Sequence, residues 1–274
     1  MKNVTFIVVT IFLTKSIFGQ QTANLRLSLV KTLTTRAKDF TTDNLGNIYL
    51  LTSTNQVKKL DARGDSVAVY NDVKRYGSIY SIDATNPLKI LVYYKDFSTI
   101  IILDRLLNVR NSIDLRKQDI LQVRAITTSY DNNIWVFDEM DSKLKKIDDS
   151  GKVLFSSTDF RQIFPSAPAP GSLYDRDGQL YLYDPAKGLF VFDYYGAKKN
   201  NLQLLHLIDL QVLDKNTITG RDSTQIFLYK LSSLQLSAYK AFDNQSVYKK
   251  INFKGDLLYC LNEDGELKIF SVLK

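Results

Sequence analysis

The chain has 274 residues, 45% of them hydrophobic, and a formal net charge of +7. That length suits one large domain, and no Pro-, Gly- or Ser-rich linker divides it. Cys260 is the only cysteine, which excludes an internal disulfide framework, and its apolar flanks predict a buried side chain rather than a reactive thiol.

Short lysine runs are typical of solvated strand faces, with binding to an acidic partner or an anionic envelope surface as the alternative. These runs lie at residues 58–59, 145–146, 198–199 and 249–250.

Residues 1–19 have the pattern of a secretory signal peptide. A positive start precedes an apolar run over residues 4–13, and small or aliphatic residues stand before a cleavage point at Gln20. An anchor helix is the alternative, but the run is too short to span a bilayer and Lys15 interrupts it. An exported chain without disulfides suggests a bacterial periplasm or cell surface. We therefore expect residues 20–274 to form one exported domain with no integral membrane span and no nucleic-acid partner.

A repeated phrase indicates the fold. Each copy is a polar turn followed at once by an apolar, aromatic strand, and the copies lie at residues 43–51, 131–137 and 175–183. After the first two copies a second strand ends in Asp and a Gly-containing turn, at residues 57–64 and 144–151. A repeat of roughly 40–45 residues built only of short strands is typical of propeller blades. The 16 Tyr and 15 Phe are suited to fill the gaps between such blades.

The spacing of the apolar strands predicts six blades. These strands begin near Ile48, Ile90, Ile134, Leu180, Thr217 or Ile226, and Leu257. Their nearly continuous apolar character predicts that they are the inner strands, covered by neighbouring blades on both faces. Residues 24–33 alternate, and we expect them to close the ring as the outer strand of the last blade, with an open solenoid as the alternative. Helical signal is weak, with a turn or two at residues 159–164 and 202–212.

The sequence therefore predicts an all-β fold, a β-propeller of six blades, each with four antiparallel strands, closed by the N-terminal strand.

The phrase Asp-x-x-Gly-Asn-Ile-Tyr-Leu, followed by a strand that ends in Asp-x-x-Gly, resembles the repeats of NHL-like six-bladed propellers, from residue 34 to residue 274. The copies in blades two, five and six depart from the pattern, which leaves the blade count open. The signal sequence is similar to those of exported Bacteroidetes proteins. That resemblance implies an envelope component, such as the periplasmic plug of the gliding-associated (type 9) secretion translocon.

The sequence contains no recognisable catalytic constellation. His206 is the only histidine, too few for a histidine zinc site, and its apolar flanks predict a partly buried structural residue. There is no G-x-S-x-G elbow, no G-x-G-x-x-G and no phosphate loop. Most acids fall in turns, where local backbone hydrogen bonds explain them, as at Asp61, Asp104, Asp148 and Asp193. We expect no enzyme activity, no cofactor and no metal, with a ligand-binding or hydrolytic propeller that holds a small acidic molecule or sugar in its tunnel as the alternative.

The candidate binding site lies where the chain enters its blades. Arg36 and Arg124 each stand seven residues before a turn Asp, and Arg75 stands at a similar point before blade two. Such loops ring one mouth of a propeller tunnel, where three arginines suit a carboxylate or an acidic loop. The alternative is that each arginine pairs with an acid of a neighbouring blade as a brace. In blade four a stiff Pro-rich loop replaces this entry, and an insertion that breaks a repeat often lies on the binding face. The predicted docking mouth comprises Arg36, Arg75, Tyr76, Arg124, Pro165, Pro168, Pro170 and Gly171.

These features together predict a non-enzymatic exported propeller that binds another protein of the cell envelope. The protein is expected as a monomer or as a subunit of a hetero-complex. An outer-membrane export channel is the partner that the resemblance implies, with the propeller as its accessory or plug.

Overall fold

The described residues form six sheets, each with four antiparallel strands and one of them extended by a fifth, arranged as the blades of a propeller, which confirms the predicted fold class. The computed structural model describes residues 23–240 and 247–273. The signal peptide predicted over residues 1–19 lies outside these ranges. Within them, no helix has both the length and the apolar character that a membrane crossing requires.

The strands follow one another in a regular order. Two strands precede the first complete blade, β1 (Ala23–Asn24) and β2 (Leu27–Thr34). Blade one comprises β3 (Ala37–Thr42), β4 (Ile48–Thr52), β5 (Val57–Leu60) and β6 (Ser66–Tyr70). The short helix α1 (Val73–Tyr76) leads to blade two, which comprises β7 (Ser81–Asn86), β8 (Lys89–Tyr94), β9 (Thr99–Leu103) and β10 (Val109–Asp114). A 3-10 turn at Leu115–Gln118 leads to blade three, which comprises β11 (Val123–Thr128), β12 (Ile134–Asp138), β13 (Lys143–Ile147) and β14 (Val153–Ser156).

The second half of the ring repeats this order. The helix α2 (Phe160–Ile163) leads to blade four, which comprises β15 (Ser172–Arg176), β16 (Gln179–Asp184), β17 (Gly188–Phe192) and β18 (Lys198–Leu202). Blade five comprises β19 (Ile208–Asp214), β20 (Thr217–Arg221), β21 (Ile226–Lys230) and β22 (Gln235–Lys240). Blade six comprises β23 (Tyr248–Lys254), β24 (Leu257–Asn262), β25 (Glu266–Val272) and the N-terminal strand β2.

The N-terminal strand closes the ring, as predicted. β2 runs antiparallel to β25, with Leu33 opposite Leu267. Leu33 packs against the core shared by blades six and one, whereas Leu29 and Val30 are 55% and 60% exposed. The two residues of β1 add a parallel strand to the outer edge of blade five. Because β2 covers β25, the last blade presents no unpaired third strand to solvent.

The aromatic strands are the second strands of their blades, so the expectation that they are innermost is wrong. All six residues of β8 and all five of β9 are buried, because blades on both sides cover them. The innermost strands are β3, β7, β11, β15, β19 and β23, which contact one another around the ring. One side of each faces the tunnel, and these strands therefore mix polar and apolar residues, as in the Ala-Lys-Asp-Phe-Thr-Thr sequence of β3. The helical expectation for residues 202–212 is also wrong, since β18 ends and β19 begins there, whereas α2 confirms the expectation for residues 159–164.

Aromatic rings and one buried carboxylate join neighbouring blades. The rings of Phe160 and Phe192 are stacked with centroids 5.1 Å apart, and those of Tyr130 and Tyr194 are stacked at 4.4 Å. These contacts confirm that aromatic side chains fill the gaps between blades. Asp175 of blade four is 6% exposed and accepts hydrogen bonds from several groups of blade three.

The turn acids and Cys260 occupy the positions expected of them. In four turns between third and fourth strands, an Asp Oδ1 accepts the N–H groups two and four residues later, at 2.8–3.0 Å. These acids are Asp61, Asp104, Asp148 and Asp193. Cys260 is 0% exposed, and its burial raises the pKa of the thiol, so it is a small core residue.

Two lysines that the runs predicted to be solvated are buried instead. Lys59 is 6% exposed and its Nζ donates to the Arg105 carbonyl at 2.8 Å. Lys145 is 8% exposed and its Nζ lies 2.7 Å from Asp138 and 2.6 Å from Asp141. Burial acts to lower the pKa of Lys145, but its hydrogen bonds to the two carboxylates outweigh burial and raise it. Both lysines lie on third strands, β5 and β13, and each buried ammonium group has a fixed oxygen partner, a carbonyl for Lys59 and two carboxylates for Lys145.

Candidate functional site: the entry face

The loops of the propeller lie on two opposite faces. Since strand direction alternates within a blade, the loops that lead into first strands lie on the same side as the loops between second and third strands. Hydrogen bonds between these loops support this placement, as Ser98 Oγ donates to the Leu121 carbonyl at 2.8 Å and the Glu139 N–H donates to the Gln122 carbonyl at 2.8 Å. We call this side the entry face and the opposite side the exit face.

The six innermost strands enclose a tunnel of about 700 Å³. Its wall mixes apolar side chains with hydroxyl, amide and charged groups. Four cationic residues line it in the described part of the chain, namely Arg124 and Lys250 near the entry face and Arg176 and Lys254 near the exit face. The tunnel is therefore an open, polar cavity of the size that small ligands occupy.

Four of the predicted docking residues line two separate cavities, and the other four line neither. Arg124 and Gly171 line the tunnel, whereas Arg75 and Tyr76 line a second cavity of about 430 Å³ that also includes Phe97. The second cavity is formed by α1 and by the end of blade two. The structure therefore places the predicted residues on one face of the ring, and it does not bring all of them into one pocket.

Arg124 is held by an acid of its own blade. Its Nη1 lies 2.6 Å from Oε1 of Glu139, which is in the loop after β12, and Gln122 donates to the other oxygen of that carboxylate at 2.7 Å. The Nε of Arg124 is buried and has no hydrogen-bond partner among residues 23–240 and 247–273. Arg124 thus contributes a neutralised, oriented guanidinium to the tunnel mouth.

Arg36 and Arg75 are exposed and have no carboxylate within ion-pair distance in the described ranges. Arg36 has a left-handed backbone (φ 53°) and packs its backbone against Gly265, at the passage from β2 to β3. The Arg75 guanidinium lies 4.9 Å from the centroid of the Tyr76 ring, and the Tyr76 hydroxyl lies 3.2 Å from Ser112 Oγ. Both guanidinium groups are accordingly available to an external carboxylate.

The Pro-rich loop is fastened to blade four. The Ala169 N–H donates to the Asp184 carboxylate at 2.8 Å, and the Gly171 N–H donates to the Tyr183 carbonyl at 2.9 Å. Pro165 is exposed, whereas Pro168 and Pro170 are buried. The loop is exposed at its beginning, at Pro165 and Ser166, and again at Gly171, whereas its two later prolines pack inward.

Sequence reasoning missed a series of exposed apolar side chains on the entry face, which we call the apolar arc. Its members are Phe97, Leu121, Met140 and Ile163, which are 42%, 51%, 56% and 46% exposed. Hydrogen bonds join each of their loops to the next. The Ser98–Leu121 and Glu139–Gln122 bonds described above link the loops of Phe97, Leu121 and Met140. The Phe160 N–H donates to the Ser142 carbonyl at 2.9 Å and links the loop of Met140 to α2, which contains Ile163. For Phe97 and Met140 the available signal was a large apolar residue in a loop between second and third strands, where the equivalent loops at residues 53–56 and 263–265 are polar.

His206 does not occupy the partly buried position that its apolar flanks predicted. It is exposed, with a left-handed backbone (φ 57°), and its N–H donates to the Pro185 carbonyl at 2.7 Å. The residue stands in the turn before β19, where the backbone reverses and the side chain points away from the core. In the described part of the chain, no group of three or more His, Cys, Asp and Glu side chains is placed to hold a metal ion.

Comparison with known proteins identifies the fold alone. No family model and no curated protein matches the chain. Among solved structures, virginiamycin B lyase from Staphylococcus aureus in complex with quinupristin is similar, with 11% identity, a TM-score of 0.61 and coverage of 91% of this chain and 99% of that chain. The β-propeller domain of Cps50 (Swd1) from Myceliophteria thermophila has 9% identity, a TM-score of 0.62 and coverage of 90% and 100%. A chain of the mitotic checkpoint complex has 11% identity, a TM-score of 0.59 and coverage of 100% and 99%.

Proposed function

We propose that this protein is a non-enzymatic binding propeller that docks another protein on its entry face. The observation that carries the proposal is the apolar arc, whose four exposed side chains come from consecutive loops joined by hydrogen bonds. Exposed apolar groups that lie together on one face, rather than singly, are the usual mark of an interaction surface.

Positively charged side chains on the entry face favour a partner that carries acidic groups. Arg36, Arg75, Lys95 and Lys117 lie on the entry face without a carboxylate within ion-pair distance among the residues described, and they outnumber the unpaired acids next to the arc, Asp96 and Asp119. An apolar centre with a charged rim is the ordinary composition of a protein interface, and the rim charges set partner choice and association rate. We therefore infer a protein partner that presents apolar side chains flanked by carboxylates.

The cellular setting belongs to the same proposal. The pattern of a signal peptide at residues 1–19 supports export to a bacterial periplasm or cell surface. The resemblance to exported Bacteroidetes propellers supports an accessory or plug of an outer-membrane export channel as the specific role. The similar fold in the mitotic checkpoint complex is an example of this architecture within a protein assembly.

The test compares variants on the two faces. The tagged protein is purified from the native envelope, the co-purifying chain is identified, and its affinity for each variant is measured. We expect the Leu121→Ser/Met140→Ser variant and the Arg36→Glu/Arg75→Glu/Lys117→Glu variant each to lose at least tenfold in affinity, with unchanged Tm. The Leu45→Ser/Leu234→Ser variant is the matched control on the exit face, where both residues are exposed, at 65% and 69%. Retention of full affinity by both entry-face variants would overturn the proposal.

A further inference from the structure

Two cations converge at the exit end of the tunnel. Arg176 is the last residue of β15 in blade four, and Lys254 is the last residue of β23 in blade six. Both are half-buried and both line the tunnel. The innermost strand of blade five, which lies between them, ends at Asp214, so the two long side chains stand on either side of its end.

Neither cation forms an ion pair with another described residue. Arg176 Nη1 donates to the carbonyl of the preceding Asp175 at 2.9 Å, but neither Arg176 nor Lys254 has a carboxylate within ion-pair distance in residues 23–240 and 247–273. The two cations near the entry face differ in this respect. Arg124 pairs with Glu139 and Lys250 pairs with Asp39, each at 2.6 Å.

The nearby acids are engaged elsewhere. Asp43 is 1% exposed, and its carboxylate accepts the N–H groups of Leu45 and Asn47 at 2.9 Å each, the Asn47 side-chain amide at 2.7 Å and the Tyr49 hydroxyl at 3.0 Å. Asp214 accepts the N–H of the turn residue Asn216 at 2.8 Å. These carboxylates hold loops in place, and neither forms an ion pair with Arg176 or Lys254 in the described ranges.

Electrostatics and a neighbouring donor fit an anion at this position. Burial lowers the pKa of Lys254, the charge of Arg176 lowers it further, and Asp43 acts in the opposite direction. A bound anion would relieve that repulsion. Asn252 also lines the tunnel, and its Oδ1 accepts the Thr42 hydroxyl at 3.0 Å, so the amide nitrogen remains a free donor in the described structure.

We infer that the exit end of the tunnel binds a small oxyanion, with Arg176 and Lys254 as its charged ligands. The planar guanidinium of Arg176 suits a carboxylate or phosphate group in a bidentate contact, and Lys254 adds a mobile point charge. The cavity of about 700 Å³ leaves room for the rest of a small organic acid or phosphate ester. This site is on the opposite side of the ring from the apolar arc. Anion binding there goes beyond the proposed docking function, and a test of one does not decide the other.

Calorimetric titration of the intact exported chain with citrate and, separately, with inorganic phosphate tests the inference. We expect at least one of the two probes to bind, and Arg176→Gln and Lys254→Gln each to weaken that binding at least tenfold. Lys254→Arg, which keeps the charge, should retain it within about threefold. Lys152→Gln is the matched control, because Lys152 is exposed in a turn of the exit face and outside the tunnel.

The probes separate the two sources of an oxyanion. Binding of citrate alone assigns a carboxylate ligand, and binding of phosphate alone assigns a phosphate ligand. Absence of binding by both probes overturns the inference, as does binding that Arg176→Gln and Lys254→Gln weaken no more than Lys152→Gln does. Melting temperatures of all variants, measured without probe, identify any loss of affinity that comes from unfolding.

Discussion

The Nη1 of Arg124 lies 2.6 Å from Oε1 of Glu139, within one blade. The arginine therefore does not act as a brace to a neighbouring blade, and its side chain is positioned at the tunnel mouth by a local contact. The two side chains are 37% and 28% exposed, and ion pairs of this kind contribute about 0.2–1 kcal/mol to the free energy of unfolding.

The first prediction is that Arg124→Gln is tolerated by the fold. We expect the free energy of unfolding to fall by no more than about 1 kcal/mol, because solvent replaces most of the lost ion pair. Urea unfolding of this variant and of Glu139→Gln provides the measurement. A loss of several kcal/mol in Arg124→Gln alone would show that the guanidinium supports the ring.

The second prediction concerns ring closure. Removal of residues 23–34 should lower the Tm and cause concentration-dependent association, because the edge of β25 and the core around Leu267 become exposed. Leu29→Ser is the control, since Leu29 lies on the exposed side of the same strand and its replacement should leave both properties unchanged. Light scattering and thermal melts provide the data. A truncated chain that stays monomeric with the Tm of the full protein would contradict closure by β2.

The sequence predicts those features of the architecture that are determined by residues close together in the chain. The Asp61 carboxylate accepts hydrogen bonds from N–H groups two and four residues later. One short segment of the sequence therefore determines both this turn and the end of the strand before it. Closure was predictable because the repeat left one blade without its outer strand while residues 24–33 had the right alternation. Local pattern was thus sufficient for the fold class.

The remaining features depend on distant partners. Lys59 looks solvated in the sequence, but its Nζ donates to the carbonyl of Arg105, which belongs to the next blade. The short polar segments that became innermost strands carry no strong apolar signal, because one side of each faces the tunnel. The apolar arc was missed for a similar reason, since Phe97 and Met140 are separate loop residues until the ring brings their loops together.

The third prediction is that Asp175→Ala is strongly destabilising. The buried carboxylate accepts the Trp135 indole N–H at 3.0 Å, the Tyr130 N–H at 3.2 Å and the Tyr194 hydroxyl at 2.5 Å. Its removal leaves these donors without a partner, and we expect a loss of about 3 kcal/mol. Urea unfolding can be followed by fluorescence of Trp135, which is the only tryptophan in the sequence.

Asp65→Ala serves as the control for Asp175→Ala, because Asp65 is an exposed turn residue. It should change the free energy of unfolding by less than about 0.5 kcal/mol. Equal effects of the two substitutions would contradict the role of Asp175 as the link between blades three and four.

The fourth prediction is acid sensitivity. Burial acts to raise the pKa of Asp131, but hydrogen bonds from Lys146, Asn133 and Ser129 outweigh it and lower the pKa to about 2. The backbone N–H of Asp65 is the largest of the effects that lower the pKa of Asp61. Because the folded pKa lies below the unfolded value of about 3.9, this stabilisation is present above that value and is lost as the pH falls toward 2.

Urea midpoints measured between pH 6 and pH 2.5 test this expectation. The midpoint should fall with pH, and Asp131→Asn should show a shallower fall than the unmodified protein. Asp119→Asn is the control, because the Asp119 side chain has no hydrogen bond or ion pair in the described structure, and its pH profile should follow that of the unmodified protein. A pH profile of Asp131→Asn that is as steep as that of Asp119→Asn would be inconsistent with the assignment.

Site-specific photo-cross-linking in the intact envelope tests whether the protein docks on its entry face. A photoreactive amino acid is placed at Leu121 or Met140 in the apolar arc, and at Leu45 or Leu234 on the exit face, all of which are exposed. We expect both arc positions to cross-link to one and the same protein and neither exit-face position to do so. Cross-links to that protein from the exit face alone, or no cross-link from either arc position, would contradict it.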